Sequence, residues 1–205
     1  MTDAISPCRP GHGASCALCC GSHNFAASAE AVGALFARRR DHYGGFSASY
    51  LAALAGRSRS AMTGSYFVPD VDPVPGESIG KIFDDFPRCP FIALKDESGI
   101  IGCALHSDTP GEERHDCVRS YSGKRFRCEV HDALGDDEVR YAASLMRDWY
   151  YYSILIHSAT ILREIMSGHP SPGEVPPGMV TRLQERLMAE VHSRRELHAI
   201  HSYFD

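Results

Sequence analysis

Three cysteines fall within five positions of "SCALCCGSHNF": Cys16, Cys19 and Cys20, the last two adjacent. Cys8, Cys89, Cys103, Cys117 and Cys128 bring the set to eight, and residues 129–205 contain none. A free cysteine is ordinarily a small, buried core residue. Cysteines used that way would also appear in the apolar C-terminal segments. Their confinement to the first 128 residues points instead to a concentrated site around which the chain must fold.

The expected compartment bears on what such thiols do. "MTDAISPCRPGHGASC" has no basic start followed by an apolar core, so a secretory signal is not expected. The longest strongly apolar run, around "WYYYSILI", is too short to span a bilayer. The cytoplasm is therefore the expected location. Disulfides are disfavoured there, and clustered thiols serve as metal ligands or redox groups. Twenty-one basic against 26 acidic residues give a net charge of −5. That balance makes no electrostatic case for nucleic acid or an anionic membrane as partner. The one notable basic cluster, Arg38-Arg39-Arg40, is expected to be the solvated end of a helix, with cations near the negative end of its dipole.

Cys16-x2-Cys19 is a chelating spacing, because a tight turn can aim both sulfurs at one metal. Cys19 and Cys20 are harder to place on one ion, since neighbouring side chains tend to diverge, and suit a polynuclear centre or two centres better. Thiolates bind Zn²⁺ tetrahedrally and hold iron–sulfur clusters, four per cluster in the commonest case. Neither the paired C-x2-C of a zinc ribbon nor the C-x2-C-x2-C-x3-C run of a bacterial ferredoxin is present.

The rest of the chain reads as mainly α with small β-hairpins. It forms a single cysteine-rich, metal-stabilised domain, its cysteine-bearing portion (8–128) packed on long C-terminal helices (136–201). "NFAASAEAVGALFARRR" places Phe25, Val32, Leu35 and Phe36 on one helical face, and "SASYLAALAGR" reads as a second short helix. "PDVDPVPGES" marks a loop. "CPFIAL" and "IIGCAL" flank the turn-forming "KDESG" as an antiparallel hairpin. With Leu94 opposite Ile100, Phe91 faces Cys103 and Cys89 lies diagonally from it. A second hairpin, turning at Ser122-Gly123, sets Cys117 opposite Cys128. Acidic Asp136, Asp137 and Glu138 suit the start of a long, broadly apolar helix that ends at Gly168 and Pro170. A final helix from Pro177 buries Val180, Leu183, Leu187 and Val191, and core packing is expected of the aromatic run Trp149–Tyr152.

His106, three after Cys103, has ligand-like spacing but points to the other face of a continuing strand. His23 suits a helix start better than a metal, and His192, His198 and His201 read as solvated. No Walker or dinucleotide loop, G-x-S-x-G elbow or H-E-x-x-H helix occurs. A thiol nucleophile helped by a histidine is possible in principle, but no cysteine stands apart as one.

The "CALCC" element, followed at a distance by "CPFI", "GCALH" and "RFRC", resembles the YkgJ-type cysteine-cluster proteins, described as zinc- or iron-chelating domains. The resemblance covers about residues 8–128. It implies a metal or iron–sulfur site on Cys16, Cys19, Cys20, Cys89, Cys103, Cys117 and Cys128. That family's C-x2-C-x2-C-C element would place one more cysteine at position 13, which is Gly13 here; Cys8 is the available substitute, through a longer loop. Similar cysteine motifs occur in the flagellin lysine methylase, and "CCG" is similar to heterodisulfide-reductase cysteine domains, whose downstream C-x2-C here is only Cys103-x2-His106. The expectation is a [4Fe–4S]-type iron–sulfur centre with a redox, sensing or cluster-dependent modification role. The alternative is a structural zinc module that presents a helical surface to a protein partner.

Overall fold

The computed structural model describes residues 5–46, 50, 74, 77–86, 88–104, 126–198 and 202–204. Helix α1 (Ala29–Gly44) starts at Ser28, whose hydroxyl accepts the Ala31 N–H at 3.3 Å, with Glu30 in the first turn. Its inner face carries Val32, Leu35, Phe36, Arg39 and Tyr43, all buried. Phe25, just upstream, meets Phe36 edge-on with ring centroids 5.6 Å apart.

Arg39 is not the solvated cation expected of "RRR". It is 1% exposed, and its guanidinium reaches both carboxylate oxygens of Glu77 at 3.1 and 2.5 Å. It also donates to the carbonyls of Cys89 and Ile92 at 3.1 and 3.2 Å. A planar fork of five N–H groups can satisfy four such acceptors at once. These acceptors draw Arg39 inward, while Arg38 stays exposed and Arg40 pairs with Asp41.

Strands β1 (Ile92–Leu94) and β2 (Ile101–Cys103) form the first expected hairpin, one residue out of the expected register. Leu94 faces Ile101 and Ile92 faces Cys103. The Lys95 N–H donates to the Ile100 carbonyl at 2.8 Å, which leaves a four-residue loop, 96–99. Asp96 accepts the Ser98 N–H within it, and Gly99 at φ 84° supplies the left-handed step that turns the chain back. The chain turns between Cys89 and Ile92, so strand parity does not relate Cys89 to Cys103. Strand β3 (Phe126–Cys128) pairs antiparallel with β4 (Ser202–Phe204), placing Cys128 opposite Ser202. The expected hairpin partner of Cys128, with Cys117 and Ser122-Gly123, lies outside the described residues. So do His106, His201, and the expected helix around 47–57 apart from Tyr50.

After the short helix α2 (Val130–Ala133), the long helix expected from residue 136 to Gly168 is three helices: α3 (Asp136–Met146), α4 (Tyr150–Ile156) and α5 (Ala159–Gly168). Arg147 breaks the first junction at φ 55°, and the Asp148 carboxylate accepts the Tyr151 N–H at 2.7 Å, restarting the helix. The second break falls at His157 and Ser158. Residues 149–156 are apolar nearly all round, and a straight helix turns part of such a surface to water. Breaking at both ends lets Trp149, Tyr150, Tyr152, Ile154, Leu155 and Ile156 all enter the core. Helix α6 (Pro177–Ser193) buries Leu183, Leu187 and Val191, with Val180 half-buried. His198, expected to be solvated, is buried in the following 3-10 turn, where its Nε2–H donates to the Val191 carbonyl at 2.8 Å; His192 is exposed. The described chain is thus mainly helical with two small antiparallel strand pairs. None of its described helices is long and apolar enough to cross a membrane.

Candidate metal centre

The thiols are presented by a loop laid against α4. Residues 8–16 close on themselves: the Cys16 N–H donates to the Cys8 carbonyl at 3.1 Å. Inside the loop, Gly11, His12 and Gly13 all take left-handed conformations. Gly13, at φ 77°, is required: a Cβ there would stand 3.3 Å from the Arg147 carbonyl oxygen. A cysteine at position 13 would therefore be strained, and the loop closure sets Cys8 beside Cys16. Two α4 side chains fasten the loop. The Tyr152 hydroxyl donates to the Pro7 carbonyl at 2.8 Å, and the Ser153 hydroxyl to the Ser15 carbonyl at 3.2 Å. Ser15 in turn accepts the Ile101 N–H at 2.9 Å, tying the loop to β2.

The chain then enters a 3-10 turn, Leu18–Cys20, closed by the Gly21 N–H on the Leu18 carbonyl. Contrary to expectation, adjacent Cys19 and Cys20 do not diverge: this tight turn sets their sulfurs 3.9 Å apart. The Cys89 N–H donates to the Cys20 carbonyl at 2.8 Å, so the segment before β1 joins the same neighbourhood. Cys103 belongs to β2, and with Cys89 it adds to the rise that burial imposes on the Tyr43 phenol. Cys128 ends β3 within charge range of Cys8 and Cys19. The seven described cysteines are free thiols, and Cys117 lies outside the described residues.

The electrostatics follow from this crowding. Burial, then the neighbouring Cys19, push the Cys8 thiol up to about 11. Burial, then Cys8 and Cys19, push Cys16 well above the usual thiol range, and burial with the same neighbours takes Cys128 to about 12. Cys19 goes the other way. The Cys20 thiol donates to it, backbone N–H groups help, and together they outweigh burial. Burial pushes the phenol of Tyr152 up, and Cys16, Cys8 and Cys128 add to the shift. Ionising Cys8, Cys16 or Cys128 is opposed by low dielectric and by neighbouring thiols, and a cation among them would reverse both effects.

Among the described residues, no three His, Cys, Asp or Glu side chains are grouped so as to hold a metal ion. The donor types present are those that a thiolate-bound metal takes. His23 is not such a donor. Its Nε2–H donates to the Tyr150 carbonyl at 2.9 Å and its Nδ1 accepts from the Ser22 hydroxyl at 2.8 Å, so both nitrogens are engaged. Burial pushes its pKa down to about 3, which keeps the imidazole neutral. The sequence reading missed His157. Its Nε2 lies 3.8 Å from the Cys16 sulfur. The available signal was a lone imidazole ending the apolar run "YYYSILI" in a cysteine-free tail.

By fold and site, the protein is a mainly helical chain that brings thiols from distant segments near one another, Cys89 and Cys128 buried, Cys16, Cys19, Cys20 and Cys103 half-buried and Cys8 exposed. Compared with family models, with curated proteins and with solved structures, it matches none.

Proposed function

We propose that these thiols hold an iron–sulfur centre and that the protein is a cysteine-cluster protein of the YkgJ type, with a redox, sensing or cluster-dependent modification role. One observation carries this reading: Cys8, Cys16, Cys19, Cys20, Cys89 and Cys128, from three separated segments, are linked by backbone bonds, thiol contact and charge. Six thiols exceed the four that one tetrahedral ion takes, and a polynuclear centre uses the surplus. When bound, such a centre supplies one-electron chemistry. The chain's own part would be to bring the sulfurs together and, through the Cys20 contact, to lower the Cys19 thiol below its usual range. Such a protein belongs in the cytoplasm, where thiols stay reduced.

The spacing of Cys19 and Cys20 favours a second reading, a structural zinc module that presents its helices to a protein partner. Two thiolates on one tetrahedral zinc, with Zn–S of about 2.3 Å, stand about 3.8 Å apart. The observed 3.9 Å matches that edge.

Anaerobic purification with visible absorption and iron, sulfide and zinc analysis separates the two readings. A broad band near about 400 nm with iron and sulfide in similar amounts is expected for a thiolate-bound cluster. Colourless protein with stoichiometric zinc establishes the second reading, and a protein with neither overturns both. Cys19→Ser and Cys20→Ser are each expected to lower the metal content; unchanged content in both removes this pair from the centre.

A further inference from the structure

The C-terminal helices carry no cysteine, yet α4 ends on a histidine in contact with the thiol loop. We propose that His157 is a ligand of the thiolate centre through Nε2, beside Cys16, so that the helical tail closes the metal site as well as supporting it. This rests on the reading that the thiols hold a metal.

Three observations carry it. The His157 Nε2 to Cys16 Sγ distance is 3.8 Å. A sulfur and an imidazole nitrogen on one tetrahedral ion, with bonds of about 2.3 and 2.0–2.1 Å, stand about 3.6 Å apart. Small rotations of either side chain reach that edge. The approach is also held in place. Ser153, one helical turn before His157 on the same face, is bonded to Ser15, the residue preceding Cys16. Tyr152 anchors the chain just before Cys8. Cys16 therefore meets His157 at a fixed point on α4.

A Cys16–His157 nucleophile pair is the competing use of the same contact, and the nitrogen coupling read below distinguishes the two, since only a metal ligand gives one.

Co(II) is the probe. The full chain, labelled with [15N]histidine, is loaded anaerobically with Co(II) and examined by pulsed electron paramagnetic resonance, beside His157→Ala and unlabelled protein. The expected result is a nitrogen coupling that changes with the isotope and disappears in His157→Ala, with Co(II) affinity lowered about 10-fold or more. His157→Gln, with a polar side chain of similar reach, gives the answer if His157→Ala fails to fold, as judged by circular dichroism. Bound Co(II) with thiolate charge-transfer bands but no nitrogen coupling overturns the assignment and leaves the thiolate centre standing. A coupling that persists without His157 also overturns it, in favour of another histidine. A wild-type chain that takes up no Co(II) sinks the assignment and the metal reading together.

Discussion

Arg39 shows how one residue secures the element that supports the thiols. Its guanidinium neutralises Glu77, whose side chain is 1% exposed, and satisfies two carbonyls next to Cys89. Arg39→Met removes the guanidinium that Glu77 and the two carbonyls share. Chemical denaturation is expected to show a loss of about 3–5 kcal/mol; a loss below about 1 kcal/mol would mean that Glu77 finds water or another cation. Arg39→Lys should recover only part of it, because an ammonium cannot span four acceptors in one plane. At His23, burial depresses the folded pKa to about 3, against about 6.5 in the unfolded chain. Between those values the unfolded state binds the extra proton. The stability His23 contributes is therefore present above about pH 6.5 and lost as pH falls toward 3, at up to about 1.4 kcal/mol per pH unit. His23→Gln should flatten that acid slope. Comparison of slopes cancels Asp148, which burial raises to about 6 and which acts in the opposite direction. Equal slopes in the two proteins would show that His23 is protonated in the folded state.

At the level of elements, the loop at residues 8–16 replaces a regular cysteine spacing with a closed turn. Gly13→Cys would write the family spacing into this chain, but position 13 is left-handed and faces the Arg147 carbonyl. We expect this change to cost about 1–2 kcal/mol and to add no metal. Increased metal content in Gly13→Cys would show that the loop can open to admit a donor there. The helices α3, α4 and α5 were legible as helical from their apolar pattern and from Asp136, Asp137 and Glu138. Their division was not, because Arg147 and Asp148 are ordinary helix-surface residues until the core on both sides demands a bend. The hairpin of β1 and β2 was legible from its turn residues. Its register was fixed by a choice between four and five loop residues that composition leaves open.

For the whole molecule, the thiol loop joins α4 and β2 through Pro7, Ser15 and Cys16. Chelation should therefore loosen the two ends of these ties unequally. Hydrogen exchange is expected to show amides in 5–25 and 88–104 losing protection, while those of α3 to α6, which carry their own buried faces, keep most of theirs. Uniform loss along the chain would mean that metal and core fold as one unit, and no change would argue against any structural role for the metal.

The sequence by itself determined that the thiols are concentrated, that the tail is helical with an apolar core, and that the charge balance favours neither nucleic acid nor membrane. Those properties depend on residue identity and on local periodicity, which survive in the unfolded chain. Tertiary structure alone decided that residues 8–16 close into a loop with Cys8 beside Cys16, that Arg39 and His198 go inside, and that His157 meets Cys16 across 141 positions of sequence. Each of these depends on which donors and acceptors become neighbours once the apolar faces have packed. A buried polar group must find its partner in that setting, wherever in the chain the partner lies.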